Sequence, residues 1–305
     1  MIKPIPLKRD DTVALIAPSS PTDPNSVDKS IECIKKLGLN VIVGESCLSK
    51  HGFLSGTDDI RANDINSMFK NKNINGIFSL RGGYGSARLL DLIDFKIIKR
   101  NPKVFVGYSD ITALHIAINQ KCNLITYHGP MISTELIKGL DEYSNYYYKQ
   151  NIFNKNILGK INNPTGMDIK VLYEGCAEGK LIGGNLSLIC STLGTKYEIN
   201  TKNKILFIEE IAESPYKIDR MLLQLHQAGK FKDAKGIILG AFTECTASDP
   251  DKSLSLDEVF NEIILPNKKP TICNLACGHC LPTLTLPLGA KALLNTSIKE
   301  FKVLE

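Results

Sequence analysis

"KVFVGYSDITALH" (103–115) runs from an apolar segment through a glycine and a polar turn into a helix-like pattern. Residues 104–106 carry no polar side chain and suit a buried strand. Gly107 ends the run. Ser109 and Asp110 are residue types that start helices, and apolar residues then recur at helical spacing over 111–118. A strand that feeds directly into a helix is half of a βαβ unit and calls for parallel neighbours. The serine at its tip has two readings. It caps the helix, or it is a nucleophile raised on a sharp strand-to-helix turn. The local string is G-x-S and lacks the second glycine of the usual nucleophile elbow.

The same alternation extends to both sides. Strands are expected over 12–17, 41–43, 77–80, 104–106 and 124–127. Helices are expected over 26–37, 58–69, 87–93 and 111–118. This pattern predicts an α/β fold with a mostly parallel sheet. In such sheets ligands sit beyond the carboxyl ends of the strands. Three loops fall there: "APSS" (17–20), "RGGYGS" (81–86) and "GYSD" (107–110).

Residues 139–166 are polar and Asn-rich and end in Pro and Gly, as a connection between domains does. Tyr146, Tyr147 and Tyr148 read there as a packing face rather than a binding platform. The chain then resumes with short strands suited to a hairpin and a helix near 186–192. A strand "KILFIEE" (204–210) and an amphipathic helix over 216–227 follow, with Ile218, Met221, Leu222 and Leu225 on one face. "GIILGAF", "PTICNLACGHC" and "LTLPLGAKALLN" complete a β-rich region. The expected organisation is therefore an N-terminal α/β domain (1–140), a connection (141–166) and a C-terminal domain (167–305).

A chain of 305 residues suits two domains rather than one core. Its composition, 43% hydrophobic and 23% charged, is that of an ordinary globular protein. The net charge of +5 is scattered over Asn- and Lys-rich stretches, so no basic stripe points to nucleic acid. No apolar run approaches the length of a membrane span, and the N-terminus reads as a first strand rather than a signal peptide. Nine irregularly spaced cysteines without an export signal suggest reduced thiols and a cytoplasmic location.

Three side chains stand at or just past expected strand ends: Ser109, Glu209 and His279. Together they suit acyl transfer. A serine hydroxyl needs a base to take its proton. An imidazole does so near neutral pH, and a carboxylate fixes its tautomer and stabilises the imidazolium. Taken singly, Glu209 reads first as an exposed strand terminus and His279 as a satisfied turn histidine, each ahead of a catalytic role. The glycines of "RGGYG" can cradle a phosphate, supply an oxyanion-hole N–H or simply make a turn. Cys273, Cys277, His279 and Cys280 offer four zinc ligands in eight residues, but in cramped spacing.

In order along the chain, "APSSP", "LRGGYGSARLLDLIDF", "GYSDITALH", "GGNLSLICSTLGT", "LFIEEIAESPYKIDRMLLQL" and "GHCLPTLTLPLGAKALL" resemble the LD-carboxypeptidase family of serine peptidases. That family also contains the microcin C self-immunity peptidases. The resemblance spans nearly the whole chain. It implies a flavodoxin-like N-terminal domain, a smaller β-rich α/β C-terminal domain, and a homodimer with a second copy of the chain as partner.

It also implies a Ser-Glu-His triad of Ser109, Glu209 and His279, with no metal and no cofactor. The oxyanion-hole N–H groups it implies are those of Asp110 and Gly83, with Gly82 an equally placed alternative. Arg81 is chemically suited to a substrate's terminal carboxylate. The implied substrate is a small peptide, a cytoplasmic murein tetrapeptide that loses its terminal D-Ala. The immunity branch instead cleaves peptidyl or aminoacyl nucleotides and tends to stack the base on tryptophan, which this chain lacks. A non-catalytic cleft-binding protein and a metal-dependent hydrolase remain the alternatives in other classes.

Overall fold

Five short apolar runs form parallel strands: β1 (Thr12–Ile16), β2 (Asn40–Val43), β3 (Gly76–Ser79), β4 (Val104–Gly107) and β5 (Thr126–His128). Every residue of β3, β4 and β5 is buried, as expected for strands covered by helices on both faces. Between the strands run α1 (Pro24–Lys36), α2 (Asp58–Lys70), α3 (Phe95–Arg100) and α4 (Thr112–Cys122). The parallel order is β5-β4-β3-β1-β2, the flavodoxin-like order. The order reverses at β1, so the loops after β1, β3 and β4 lie side by side at one edge of the sheet. Those loops are "APSS", "RGGYGS" and "GYSD".

The structure is a computed structural model and describes residues 1–304. Its contacts divide the chain into two units. One holds Met1–Asn156 and Leu284–Gly289; the other holds Ile157–Thr283 and the chain from Ala290 onward. Among the described residues no helix is long and apolar enough to cross a membrane.

Two segments of the first unit differ from the sequence-based expectation. The helix expected over 87–93 is a single 3-10 turn, Ser86–Leu89, and the helix proper starts later as α3. Asp94 decides this start, because its carboxylate accepts the backbone N–H groups of Lys96 and Ile97 at 2.8 and 3.1 Å. The polar stretch expected as a connection holds α5 (Glu142–Phe153), capped by Asp141 through the N–H of Ser144 at 2.9 Å. Tyr147 and Tyr148 are buried and Tyr146 is exposed. The buried face of α5 is Tyr147, Tyr148 and Ile152 with Ser144 and Asn151, so a single aliphatic residue stands among groups that a polar composition does not count as core.

The second unit contains β6 (Gly159–Ile161), β7 (Lys170–Tyr173), β8 (Cys176–Asn185), α6 (Leu186–Ser191), β9 (Lys204–Ile211), α7 (Pro215–Gln227), α8 (Lys230–Asp233), β10 (Gly236–Thr243), α9 (Leu256–Ile263) and β11 (Thr271–Cys273). Next comes β12 (Leu286–Leu288), which pairs antiparallel with β5 and so belongs to the first unit's sheet. β13 (Lys291–Asn295) and β14 (Glu300–Val303) return to the second. Its sheet order is β6-β14-β13-β8-β9-β10-β11-β7, parallel from β8 to β11 and antiparallel elsewhere. No β7–β8 hairpin forms; β7 pairs with β11, and β8 lies between β13 and β9. The core of this sheet is Ile205–Ile208 of β9 and Ile237–Leu239 of β10, all fully buried. Each such side chain contributes about 1.5–3 kcal/mol when removed from water.

Candidate active site

β4 ends at Gly107 and the chain turns at once into a 3-10 turn, Ser109–Ile111, and then α4. Ser109 makes this turn at φ 63°, a left-handed conformation that costs a non-glycine residue on the order of 1–3 kcal/mol. The turn is tight enough that a Cβ on Gly107 would lie 2.8 Å from Ser79 Oγ and 2.9 Å from Ile111. His115 braces it from below. Its Nε2 lies 2.8 Å from Gly107 O, and its Nδ1 lies 2.8 Å from Thr126 Oγ1. Burial pushes the imidazole down to about 4, so the ring is neutral. A carbonyl can only accept, so Nε2 carries the proton and Nδ1 accepts from the threonine hydroxyl.

The glycine loop after β3 lies against this turn. A Cβ on Gly82 would sit 3.0 Å from Ser109 Cβ and 3.1 Å from its Oγ. Gly83, at φ 115°, leaves no room for a side chain either: a Cβ there would fall 2.3 Å from Ser20 Oγ. Tyr84 N–H donates to Ser20 Oγ at 3.1 Å, which ties the loop to "APSS". Among the described residues no acceptor takes the backbone N–H of Gly82, Gly83 or Asp110. Arg81 gives Nη1–H to Pro21 O at 3.3 Å, while its Nε is buried without a hydrogen-bond partner among the described residues.

In the second unit the long parallel strand β9 brings Glu209 and Glu210 to its end, both buried. Their side chains leave opposite faces, as neighbours on a strand must. Glu209 Oε2 accepts from the backbone N–H of His279 at 3.2 Å and lies 2.6 Å from His279 Nδ1. Because the carboxylate accepts, Nδ1 carries the ring proton and Nε2 presents a lone pair. Glu210 is occupied elsewhere. Its two oxygens take Asn185 Nδ2–H at 2.7 Å, Ser187 N–H at 2.8 Å, Ser187 Oγ–H at 2.6 Å and Ile211 N–H at 2.9 Å.

β10 lies between β9 and β11, so the chain after β11 must cross it to bring His279 to Glu209. Two glycines permit the crossing. A Cβ on Gly240 would meet Cys277 O at 2.5 Å, and one on Gly278 would meet Glu209 Oε2 at 2.6 Å. Backbone bonds fix the path: Leu275 N–H to Leu239 O at 3.2 Å and Ala241 N–H to Cys277 O at 2.9 Å. The β10 register shifts opposite β9 between Leu239 and Phe242, where the segment passes. The thiols beside His279 belong to this packing. Cys277 is fully buried and burial raises its thiol well above the ordinary range; Cys273 is pushed up to about 11, chiefly by burial. Among the described residues no three histidine, cysteine or acidic side chains gather where they can hold a metal ion.

Sequence reading missed two groups that fasten the loops at this end of the sheet. Arg61 of α2 is fully buried and gives Nη1–H to Pro18 O at 2.6 Å and Gly85 O at 3.0 Å. The Asp110 carboxylate, also buried, takes the hydroxyl of Ser19 and backbone N–H groups of the glycine loop. Neither stands at a strand end in a way that announces its partners.

The chain matches the model of the LD-carboxypeptidase N-terminal domain over residues 13–129 and that of the LD-carboxypeptidase C-terminal domain over 178–294. It is 43% identical over 300 residues to a Bacillus subtilis protein described as "probable murein peptide carboxypeptidase", covering 97% of this chain and 92% of that one. It is 29% identical to the microcin C7 self-immunity protein MccF of Escherichia coli, over 98% of this chain and 95% of that one. The crystal structure of muramoyltetrapeptide carboxypeptidase from Oxalobacter formigenes superposes with a TM-score of 0.84 at 28% identity, over 96% of this chain and 97% of that one. Two matched domains in order and a relative at this identity along almost the entire length carry the conclusion: the chain belongs to the LD-carboxypeptidase family of serine peptidases.

Proposed function

We propose that this chain is a serine LD-carboxypeptidase that hydrolyses the amide between an L-centre and a terminal D-amino acid, releasing D-Ala from a murein tetrapeptide. The observation that carries this reading is the 2.6 Å contact of half-buried His279 Nδ1 with the buried Glu209 Oε2, which sets the tautomer in which Nε2 is the basic nitrogen. Ser109 is the nucleophile. Its Oγ attacks the scissile carbonyl as His279 Nε2 takes the hydroxyl proton. The N–H groups of Asp110 and Gly83 hold the oxyanion. His279 then protonates the leaving amine of D-Ala, and water, activated by the same imidazole, releases the remaining peptide from Ser109. Arg81 is assigned to the terminal carboxylate on the chemistry of its guanidinium. The scheme uses no metal and no cofactor. We place the reaction in the cytoplasm, supported by nine cysteines that form no disulfide, and the chain in a homodimer on family resemblance.

Two observations favour the murein branch over the nucleotide-cleaving one. Identity to the murein peptide carboxypeptidase is 43%, against 29% to the immunity protein. The chain has no tryptophan to stack a base. Purified protein given a murein tetrapeptide and, separately, a glutamyl sulfamoyl adenosine is expected to release D-Ala from the first and leave the second intact. Cleavage of the nucleotide alone would move the protein to the other branch, and cleavage of neither would leave a binding protein.

The Gly278 contact gives a second test. Gly278→Ala puts a Cβ 2.6 Å from the Glu209 carboxylate at a φ of 114° that alanine disfavours. Displacing the Glu209–His279 pair by even about 1 Å is expected to lower kcat on the order of 10²-fold. D-Ala release at the parent rate would show that the pair is not used.

A further inference from the structure

The Asp110 side chain has no part in the reaction as written above, yet it is the most heavily engaged buried acid in the first unit. It is 1% exposed. Oδ2 accepts Ser19 Oγ–H at 2.5 Å and Ser86 N–H at 2.8 Å, and Oδ1 accepts Gly85 N–H at 3.3 Å. The Asp110 backbone carbonyl takes the Ser86 hydroxyl as well. One residue thus joins three loops: "APSS" after β1, "RGGYGS" after β3, and its own turn after β4. Ser20, next to Ser19, holds the other end of the glycine loop through Tyr84 N–H and packs against Gly83.

This arrangement matters because the glycine loop is ordered only through contacts with its neighbours: Ser20 holds Tyr84 and packs on Gly83, Arg61 holds Gly85 O, and the Asp110 carboxylate takes the N–H groups of Gly85 and Ser86. Gly82, Gly83 and Gly85 lose more backbone freedom on ordering than any other residues would. Gly83 and Gly85 sit at φ 115° and 124°, where no side chain locks them. An oxyanion hole works only if its donors are already aimed before charge develops. The two N–H groups assigned that role lie at the two ends of the frame, one on Asp110 itself and one on Gly83.

We propose that the Asp110 carboxylate is the positioning residue of the oxyanion hole, holding the N–H groups of Asp110 and Gly83 in fixed relation by gripping Ser19, Gly85 and Ser86. This rests on the reading of Ser109 as nucleophile and of those N–H groups as oxyanion donors. The carboxylate does not touch substrate. It acts on the transition state through the two N–H groups, so its loss falls on kcat and leaves ground-state binding nearly intact.

The test compares Asp110→Ala, Asp110→Asn and Ser19→Ala by steady-state D-Ala release and by the rate of inactivation with an alkyl fluorophosphonate. In that inactivation Ser109 Oγ forms the O–P bond, fluoride leaves, His279 takes the proton and the phosphoryl oxygen occupies the oxyanion position. Asp110→Ala is expected to lower kcat on the order of 10²-fold with KM within about twofold, and to slow inactivation by a similar factor. Asn retains an acceptor for Ser86 and Ser19 and loses the one for Gly85, so Asp110→Asn is expected to fall between Asp110→Ala and the parent. Ser19→Ala removes one donor at the edge of the frame and is expected to lower kcat a fewfold in the same pattern.

A purely structural role predicts a lower melting temperature with parent kcat and parent inactivation rate in the folded protein, and that result overturns the proposal. If Asp110→Ala does not fold, Ser19→Ala decides alone: parent kcat overturns, a fewfold loss at unchanged KM supports. Ser109→Ala separates the two levels. If it remains active, the nucleophile reading fails and the frame fails with it. If it is inert while folded Asp110→Ala is fully active, only the frame fails.

Discussion

Ser109→Ala is expected to abolish D-Ala release, lowering turnover on the order of 10⁴-fold or more. Its fold should be unaffected. The substitution removes one hydroxyl, and alanine meets the same backbone cost as serine at φ 63°. The turn itself is held by groups the substitution leaves alone: His115 beneath Gly107 O, and the hydrogen bonds of Asp110 to the glycine loop. Circular dichroism and the melting temperature should therefore match the parent. The residual rate, carried by the oxyanion donors and by substrate binding, should still exceed that in water. A folded variant releasing D-Ala near the parent rate would remove Ser109 from the mechanism.

Glu209→Gln is expected to cost between about 10² and 10⁴-fold in kcat, depending on how the new amide settles against His279. With its oxygen toward Nδ1 it keeps the tautomer and loses only the charge that stabilises the imidazolium. With its NH₂ toward Nδ1 it turns the ring the wrong way and the loss is larger. Glu210→Gln should behave in the opposite manner. Glu210 accepts three hydrogen bonds at the start of α6 and one from Ile211 N–H, and an amide group there points donors at donors. The expected result is a lower melting temperature, from a loss of about 1–3 kcal/mol, with kcat near the parent. A severe kcat loss for Glu210→Gln beside a mild one for Glu209→Gln would show that the wrong carboxylate has been assigned.

Local pattern carried much of the architecture. Alternating apolar runs and helical periodicities mark the strands and helices of the first unit because side-chain period is a property of a few consecutive residues. Loops rich in Gly and Ser at strand ends were legible for the same reason. Where a buried face mixed tyrosines with polar residues and one isoleucine, as in α5, or where a single capping aspartate moved a helix start, as at Asp94, composition was a weaker guide. The parallel pairing of the first unit followed from its alternating pattern, but the pairing of the second unit's strands was not legible. β7 looks like the first arm of a hairpin and pairs instead with β11, roughly a hundred residues on, because a ladder is closed by whichever edge the fold brings alongside.

The sequence by itself determined which residue types stand at the strand ends: a serine on a turn, two adjacent glutamates, and a histidine behind a glycine. It could not determine which glutamate meets that histidine. That depends on the path of residues 274–279 across β10, and on the room left by Gly240 and Gly278, so only the tertiary structure decided it. The same holds for Asp110. Its neighbours in sequence suggest a helix cap. Its partners are Ser19, Gly85 and Ser86, which the order β1-β3-β4 brings beside it. A buried carboxylate must find its donors in space, and its position along the chain says nothing of where they are.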